Sequence, residues 1–101
     1  MTFSQKLALA LDQGLGDALG EQAAKSISFF IDPRIALKDP NKYWSNLDKM
    51  FNHNSNMLKS KLIASIGQQF NLGGAAFSDL GTCVKAAKEQ FLKDDLAERS
   101  D

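Results

Sequence analysis

The sequence predicts an all-α protein, a small irregular bundle of about five helices forming a single domain over residues 1–101. Three observations predict it. Apolar residues recur at steps of three and four in several windows, as in Leu58, Leu62, Ile66 and Phe70. β-Branched residues are few, and no apolar–polar alternation runs long enough for a strand. The two prolines, Pro33 and Pro40, each follow an aspartate, a pairing that ends or begins a helix rather than interrupting one.

The first helix is expected to start near Ser4, a residue type whose hydroxyl caps exposed N–H groups. Leu7, Leu11, Leu15 and Ala18 follow at steps near four, with Leu9 off the stripe. Gly14 and Gly16 weaken this helix, each by about 1 kcal/mol relative to alanine. A fraying or bent first segment that needs tertiary or partner contacts is therefore predicted. GEQAAKSISFFID is the second helix, possible as a continuation of the first, with Ala23, Ile27, Phe30 and Ile31 as its apolar face. Pro33 disfavours helical geometry at Asp32 and ends it.

Ile35 and Leu37 then form an extended or single-turn anchor. Asp39 followed by Pro40 is a compact start signal for the next helix, aspartate accepting from the free N–H groups and proline fitting the first turn. There Trp44, Leu47 and Phe51 share a face, flanked by Tyr43 and Met50. Asn54 or Ser55 caps the long helix that carries Leu58, Leu62, Ile66 and Phe70, widened by Ile63. Asn71 or Gly73 supplies the positive φ of its C-terminus, and Leu72 packs back onto its last turn. The final helix is capped by Ser78 and carries Leu80, Val84, Ala87 and Phe91, continued by Leu92 and Leu96, before a charged end that frays.

Composition is that of an ordinary soluble globular chain, 44% hydrophobic and 24% charged. Twelve basic and twelve acidic side chains cancel, so no global field steers the protein to nucleic acid or a membrane surface. The charge is nonetheless segmented. Residues 1–33 set Lys6 and Lys25 against Asp12, Asp17, Glu21 and Asp32, a net of −2. Residues 34–61 set Arg34, Lys38, Lys42, Lys49, Lys59 and Lys61 against Asp39 and Asp48, a net of +4, and residues 62–101 return to −2. Cys83 is the single cysteine, which excludes an internal disulfide and fits a reducing compartment. The apolar stretch at the N-terminus is cut by Gln5, Lys6, Asp12 and Gln13 and does not have the form of a signal peptide. Nothing approaches the ~18 uninterrupted apolar residues of a membrane span, so a cytoplasmic location with no membrane partner is expected.

Few residues offer chemistry. His53 is the only histidine, and it stands about thirty residues from Cys83, on a different segment. A metal site needs several ligands at workable spacing, and a cysteine nucleophile needs its histidine plus a third orienting group. Asn52, His53 and Asn54 instead read as an exposed corner between helices, where short polar side chains tolerate the left-handed conformation. Cys83 reads as a small buried hydrophobe. NLGGAAF lacks the frame of a phosphate-binding loop and reads as a helix stop. Asp94 and Asp95 are adjacent, so on a helix they point about 100° apart and form no acid–base pair. No catalytic residue, metal ligand or cofactor is assigned.

The order of segments carries a resemblance. ALGEQAAKSISFFI, a proline-containing joint, DPNKYWSNLDKMF and SNMLKSKLIASIGQQFNL, roughly residues 18–72, resemble a family of small, largely uncharacterised archaeal helical domains. Some of these occur as output-type domains in signalling proteins and others stand alone. The family pattern places a glycine-rich turn after the phenylalanine, where this chain has Asn52, His53 and Asn54. The resemblance implies an interaction or sensing role and transfers no catalytic residue.

The expected function is therefore a non-enzymatic helical protein–protein interaction or signalling-type module that self-associates, a homodimer foremost. Phe3, Leu7, Leu11 and Leu15 are the candidate self-association face, because leucines stand on more than one side of a glycine-weakened helix. Arg34, Lys42, Lys49, His53, Lys59 and Lys61 are the candidate interaction surface. Nucleic acid is a second, weaker partner class for that basic region, with Tyr43 and Trp44 as stacking rings. A carrier of a small apolar ligand, with Phe29, Phe30, Trp44 and Phe77 lining a pocket, is a third.

Overall fold

A computed structural model describes residues 2–51, 56–73 and 77–99, with side chains up to Asp94. It contains six helices and, among the described residues, no strand: α1 Phe3–Leu19, α2 Glu21–Phe30, α3 Ile35–Lys38, α4 Pro40–Met50, α5 Asn56–Gln69 and α6 Leu80–Arg99. The all-α expectation holds. The sixth helix is the segment around Ile35 and Leu37, which closes a single turn of its own and buries Ala36.

The cap of α1 lies before Ser4. Thr2 Oγ1 accepts from the Gln5 N–H at 3.2 Å, and the Gln5 side chain accepts from the Thr2 N–H at 3.0 Å, a reciprocal capping box. The helix runs through both glycines without a break because α5 packs along it. Leu7, Ala10, Leu11 and Leu15 are fully buried. This corrects the expected self-association face: Leu7, Leu11 and Leu15 fill the protein's own core and present nothing to a partner. Phe3, half-buried, belongs to the same core. Its ring centroid lies 5.4 Å from Phe70 and 5.6 Å from Phe91, so three rings join the start of α1, the end of α5 and the middle of α6.

The α1–α5 crossing is close. A Cβ on Gly14 would stand 3.1 Å from Leu62 Cα and 3.2 Å from the Lys61 carbonyl oxygen. One turn earlier Ser65 Oγ donates to the Ala10 carbonyl at 2.6 Å, which satisfies the buried hydroxyl between the helices. Gln69 Nε2 donates to Gln13 Oε1 at 2.6 Å at the edge of the same contact.

Gly20 ends α1 and starts α2 with φ of +96°, a conformation costly for any residue with a Cβ. The two helices are therefore separate, and α2 folds back onto α1. Ala24, Ile27 and Ile31, at i, i+3 and i+7, are its buried line. Of the expected face, Ile27 and Ile31 are on this line, whereas Ala24 takes the place of Ala23 and Phe30 lies outside it.

Asp39 caps α4 as the Asp–Pro signal predicts, its carboxylate accepting from the Lys42 N–H at 3.1 Å. Within α4 the buried pair is Tyr43 and Leu47, whereas Trp44 and Phe51 are half-buried. The face is thus turned by about 50° from the expected one toward Tyr43, with Leu47 common to both. The stripe Leu58, Leu62, Ile66 and Phe70 in α5 is buried throughout. Asn71 and Gly73 both take positive φ, 57° and 67°, and the Leu72 N–H reaches the Gly67 carbonyl at 2.9 Å. Asp79, not Ser78, caps α6, its Oδ1 accepting from the Thr82 N–H at 2.7 Å. Leu80, Cys83, Val84 and Ala87 face the core, while Leu92 is half exposed. Leu96 and the expected caps Asn54 and Ser55 lie outside the described side chains. From α4, Asn41 Oδ1 accepts from the Gly81 N–H at 3.2 Å, tying α4 to the start of α6.

Candidate functional site

Among the described residues, the basic side chains of 34–61 do not form one continuous face. The Arg34 guanidinium is held by its neighbour, Nη2 lying 2.8 Å and Nε 3.0 Å from Asp32 Oδ2. That hydrogen bond holds the Asp32 carboxyl below the usual carboxylate range. Lys59 lays its ammonium 5.8 Å from the centroid of the Trp44 ring, so the tryptophan expected to stack on a base is covered by a lysine of α5. Lys61 is exposed, and two residues along a helix place it about 200° from Lys59. Lys42 and Lys49 are exposed on one face of α4, at i and i+7. His53, with Asn52, lies outside the described residues.

The remaining chemistry is quiet. Cys83 is buried against α5, and burial pushes its thiol up to about 11. Tyr43 is buried in the core. Desolvation, with the Asp12 carboxylate adding to it, holds its phenol well above the ordinary value of 10.0. Among the described residues, no three His, Cys, Asp or Glu side chains gather as a metal cluster would require. No described helix is long and apolar enough to cross a membrane. Among the described residues, two of the open surface grooves are of similar size. One of about 420 Å³ runs between α1 and α2, with Asp12, Asp17 and Glu21 above Leu9 and Ala24. The other, about 370 Å³, lies between the α5 turn and α6 and is lined in part by Leu72, Phe77 and Glu89.

The feature that stands apart is apolar and outward. Phe29 and Phe30, the last two residues of α2, are 86% and 75% exposed. Their rings meet edge to face, centroids 5.7 Å apart. Phenylalanine is among the residues most often buried, and a single exposed one needs no explanation. Two adjacent rings in water, on a helix whose other face is already packed, do. They line neither of these grooves, and at this exposure they do not wall the enclosed apolar pocket expected of Phe29, Phe30, Trp44 and Phe77. The helical period held the signal. With Ile27 fixed inward, Phe29 falls about 200° away, on the far side of α2.

No protein-family model, curated protein or solved structure matches this chain. The functional reading therefore rests on the molecule's own surface, and the resemblance over residues 18–72 assigns no role to any residue of it.

Proposed function

We propose that this protein is a non-enzymatic helical interaction module, of the kind used in signalling, and that it self-associates through the outward face of α2. The observation that carries this is the Phe29–Phe30 pair, two large rings left in water by a fold that buries its other large apolar stripes. Aromatic residues of this sort dominate the energetics of protein contacts, and they are enriched at interface centres. The surroundings suit a contact surface rather than a reaction centre. Exposed side chains on the same helix are short or polar, Gln22 and Ser26, and the nearby charges are already paired. The lone cysteine, buried as a thiol, fits a cytoplasmic setting.

Sedimentation equilibrium over the micromolar range tests the reading. The wild type is expected to associate. Phe29→Ser with Phe30→Ser is expected to weaken association about tenfold or more while leaving the thermal melt in place. A wild type that stays monomeric to the highest soluble concentration, with no partner retained on an immobilised sample, removes the proposal.

A further inference from the structure

The groove of about 420 Å³ between α1 and α2 has a floor of small residues, Gly16 and Ala24, and an acidic rim, Asp12, Asp17 and Glu21. Leu9, 46% exposed, lines it nearest the start of α1. Residues 9–21 carry a net charge of −3. Lys25 meets Glu21 at 3.6 Å, but no ion pair among the described residues holds Asp12 or Asp17. The fold itself does not require the glycine at position 16. A Cβ added there meets nothing within 4 Å, and glycine weakens a helix relative to alanine. What the missing side chain provides is depth, the condition for close approach of another molecule.

The complementary pattern stands on α6. Lys85, Lys88 and Leu92 are exposed there at i, i+3 and i+7, with Leu92 52% exposed. Glu89 beside them is offset by Lys93 four residues on, and residues 85–93 carry a net charge of +2. The spacings match when the two helices run antiparallel with Leu92 over Leu9. Asp12 and Asp17 lie about 4.5 and 12 Å along α1 from Leu9, and Lys88 and Lys85 about 6 and 10.5 Å along α6 from Leu92. Each ammonium then falls beside a carboxylate, and the aliphatic stem of Lys85 lies over Gly16. Laid parallel with the leucines together, the same lysines run toward Lys6 instead, like charge against like.

We propose that the α1–α2 groove of one molecule takes the outward face of α6 of a second copy, antiparallel to α1, in a head-to-tail contact. It uses neither Phe29 nor Phe30 and is separate from the α2 reading above. Both halves are exposed in the single chain, so every molecule offers one of each. Unlike patches give a heterologous contact, which passes from copy to copy rather than closing on a two-fold axis. Two leucines and a few rim charges make it a contact of the small, transient class that buries less than about 1,200 Å². Its charges govern encounter and salt dependence more than affinity.

Complementation between two variants tests the arrangement. Both are made in a Phe29→Ser, Phe30→Ser background, so that the α2 face contributes nothing. Gly16→Leu fills the groove floor at a site with open space around it and should melt at or above its parent. Lys85→Glu with Lys88→Glu reverses the charge of the α6 face. Sedimentation velocity at concentrations up to about 1 mM and about 0.05 M salt reads the association. The background is expected to associate, and to dissociate on raising the salt to about 0.5 M. Each variant alone should associate about tenfold more weakly or less. An equimolar mixture of the two should regain a 1:1 dimer and nothing larger, since each supplies the half that the other lacks. A background that stays monomeric, or a mixture no better than its components, overturns the contact; either result leaves the α2 reading as it was.

Discussion

Alanine in place of Gly14 is the sharpest perturbation this fold offers, because two expectations oppose each other there. In an exposed helix interior, Gly→Ala gains about 1 kcal/mol through helix propensity and a less free unfolded chain. Gly16 meets those conditions: an added Cβ has no neighbour within 4 Å, and the residue sits in regular α1 helix. Gly16→Ala should therefore stabilise the protein by about 0.5–1 kcal/mol. At Gly14 the added carbon stands 3.0 Å from Leu62 Cδ2, 3.1 Å from Leu62 Cα and 3.2 Å from the Lys61 carbonyl oxygen. The Leu62 side chain has no room to yield, being fully buried, and the other two atoms are backbone. Relief requires α1 and α5 to move apart, which also lengthens the 2.6 Å hydrogen bond from Ser65 to Ala10. Overpacking of this kind costs about 1–3 kcal/mol, so after the propensity gain Gly14→Ala should be destabilising by about 1 kcal/mol. Urea titrations of the two single variants measure the difference, expected near 2 kcal/mol with opposite signs. In a domain of this size each kcal/mol moves the thermal midpoint by about 4–8 °C, so the two melts should bracket the wild type. Gly14→Ala as stable as Gly16→Ala, with unchanged denaturant slope, would refute the close α1–α5 crossing.

Other consequences follow from the same core. Tyr43→Ala should cost about 3–5 kcal/mol and Trp44→Ala clearly less, since only Tyr43 is fully enclosed; chemical denaturation of the pair gives the order, and the reverse order contradicts the rotated face of α4. Because burial raises the folded Tyr43 phenol above its unfolded value of 10.0, its contribution is complete below pH 10 and is lost as the pH rises beyond it. Stability should therefore fall on the alkaline side, and Tyr43→Phe should flatten that fall in a melt series between about pH 9 and 11. The Cys83 thiol, buried and shifted up to about 11, should react with iodoacetamide at pH 8 only as fast as the protein opens. Alkylation at the rate of a free thiol in native buffer would contradict its placement.

The helical stripes were legible where one residue type dominated a face. Leu58, Leu62, Ile66 and Phe70 could only point one way, and Asp39–Pro40 is a local signal that no distant contact overrides. The misjudged positions share a physical cause: competition between faces. In α4, Tyr43 and Trp44 are adjacent aromatics, and periodicity alone does not say which of the two enters the core. The choice was made by contacts from elsewhere in the chain, the buried core that encloses Tyr43 and the Lys59 ammonium over Trp44. In α1 the excess of leucine suggested an external partner, because nothing local reveals that α5 arrives at touching distance over Gly14. The exposed ring pair was partly legible. The spacing from Ile27 sends Phe29 outward, but Phe30 borders the buried arc, and only the packed position of α2 on α1 leaves it in water.

The three-ring junction of Phe3, Phe70 and Phe91 also bears on how the chain is made. α1 is synthesised first, yet its apolar stripe is matched by α5 and its first ring by Phe70 and Phe91. Roughly 50 residues separate the end of α1 from the end of α5, and at about 5–20 residues per second the leucines wait several seconds for their partner helix. Over that interval α2, joined through Gly20, is the nearest apolar cover, with Ala24 and Ile27 facing α1. The α1–α2 hairpin is thus a temporary shelter on the nascent chain as well as a part of the finished fold. Weakening it, for example by replacing Gly20 with a residue that resists positive φ, should reduce soluble yield more than it lowers the melting temperature of the protein that does mature.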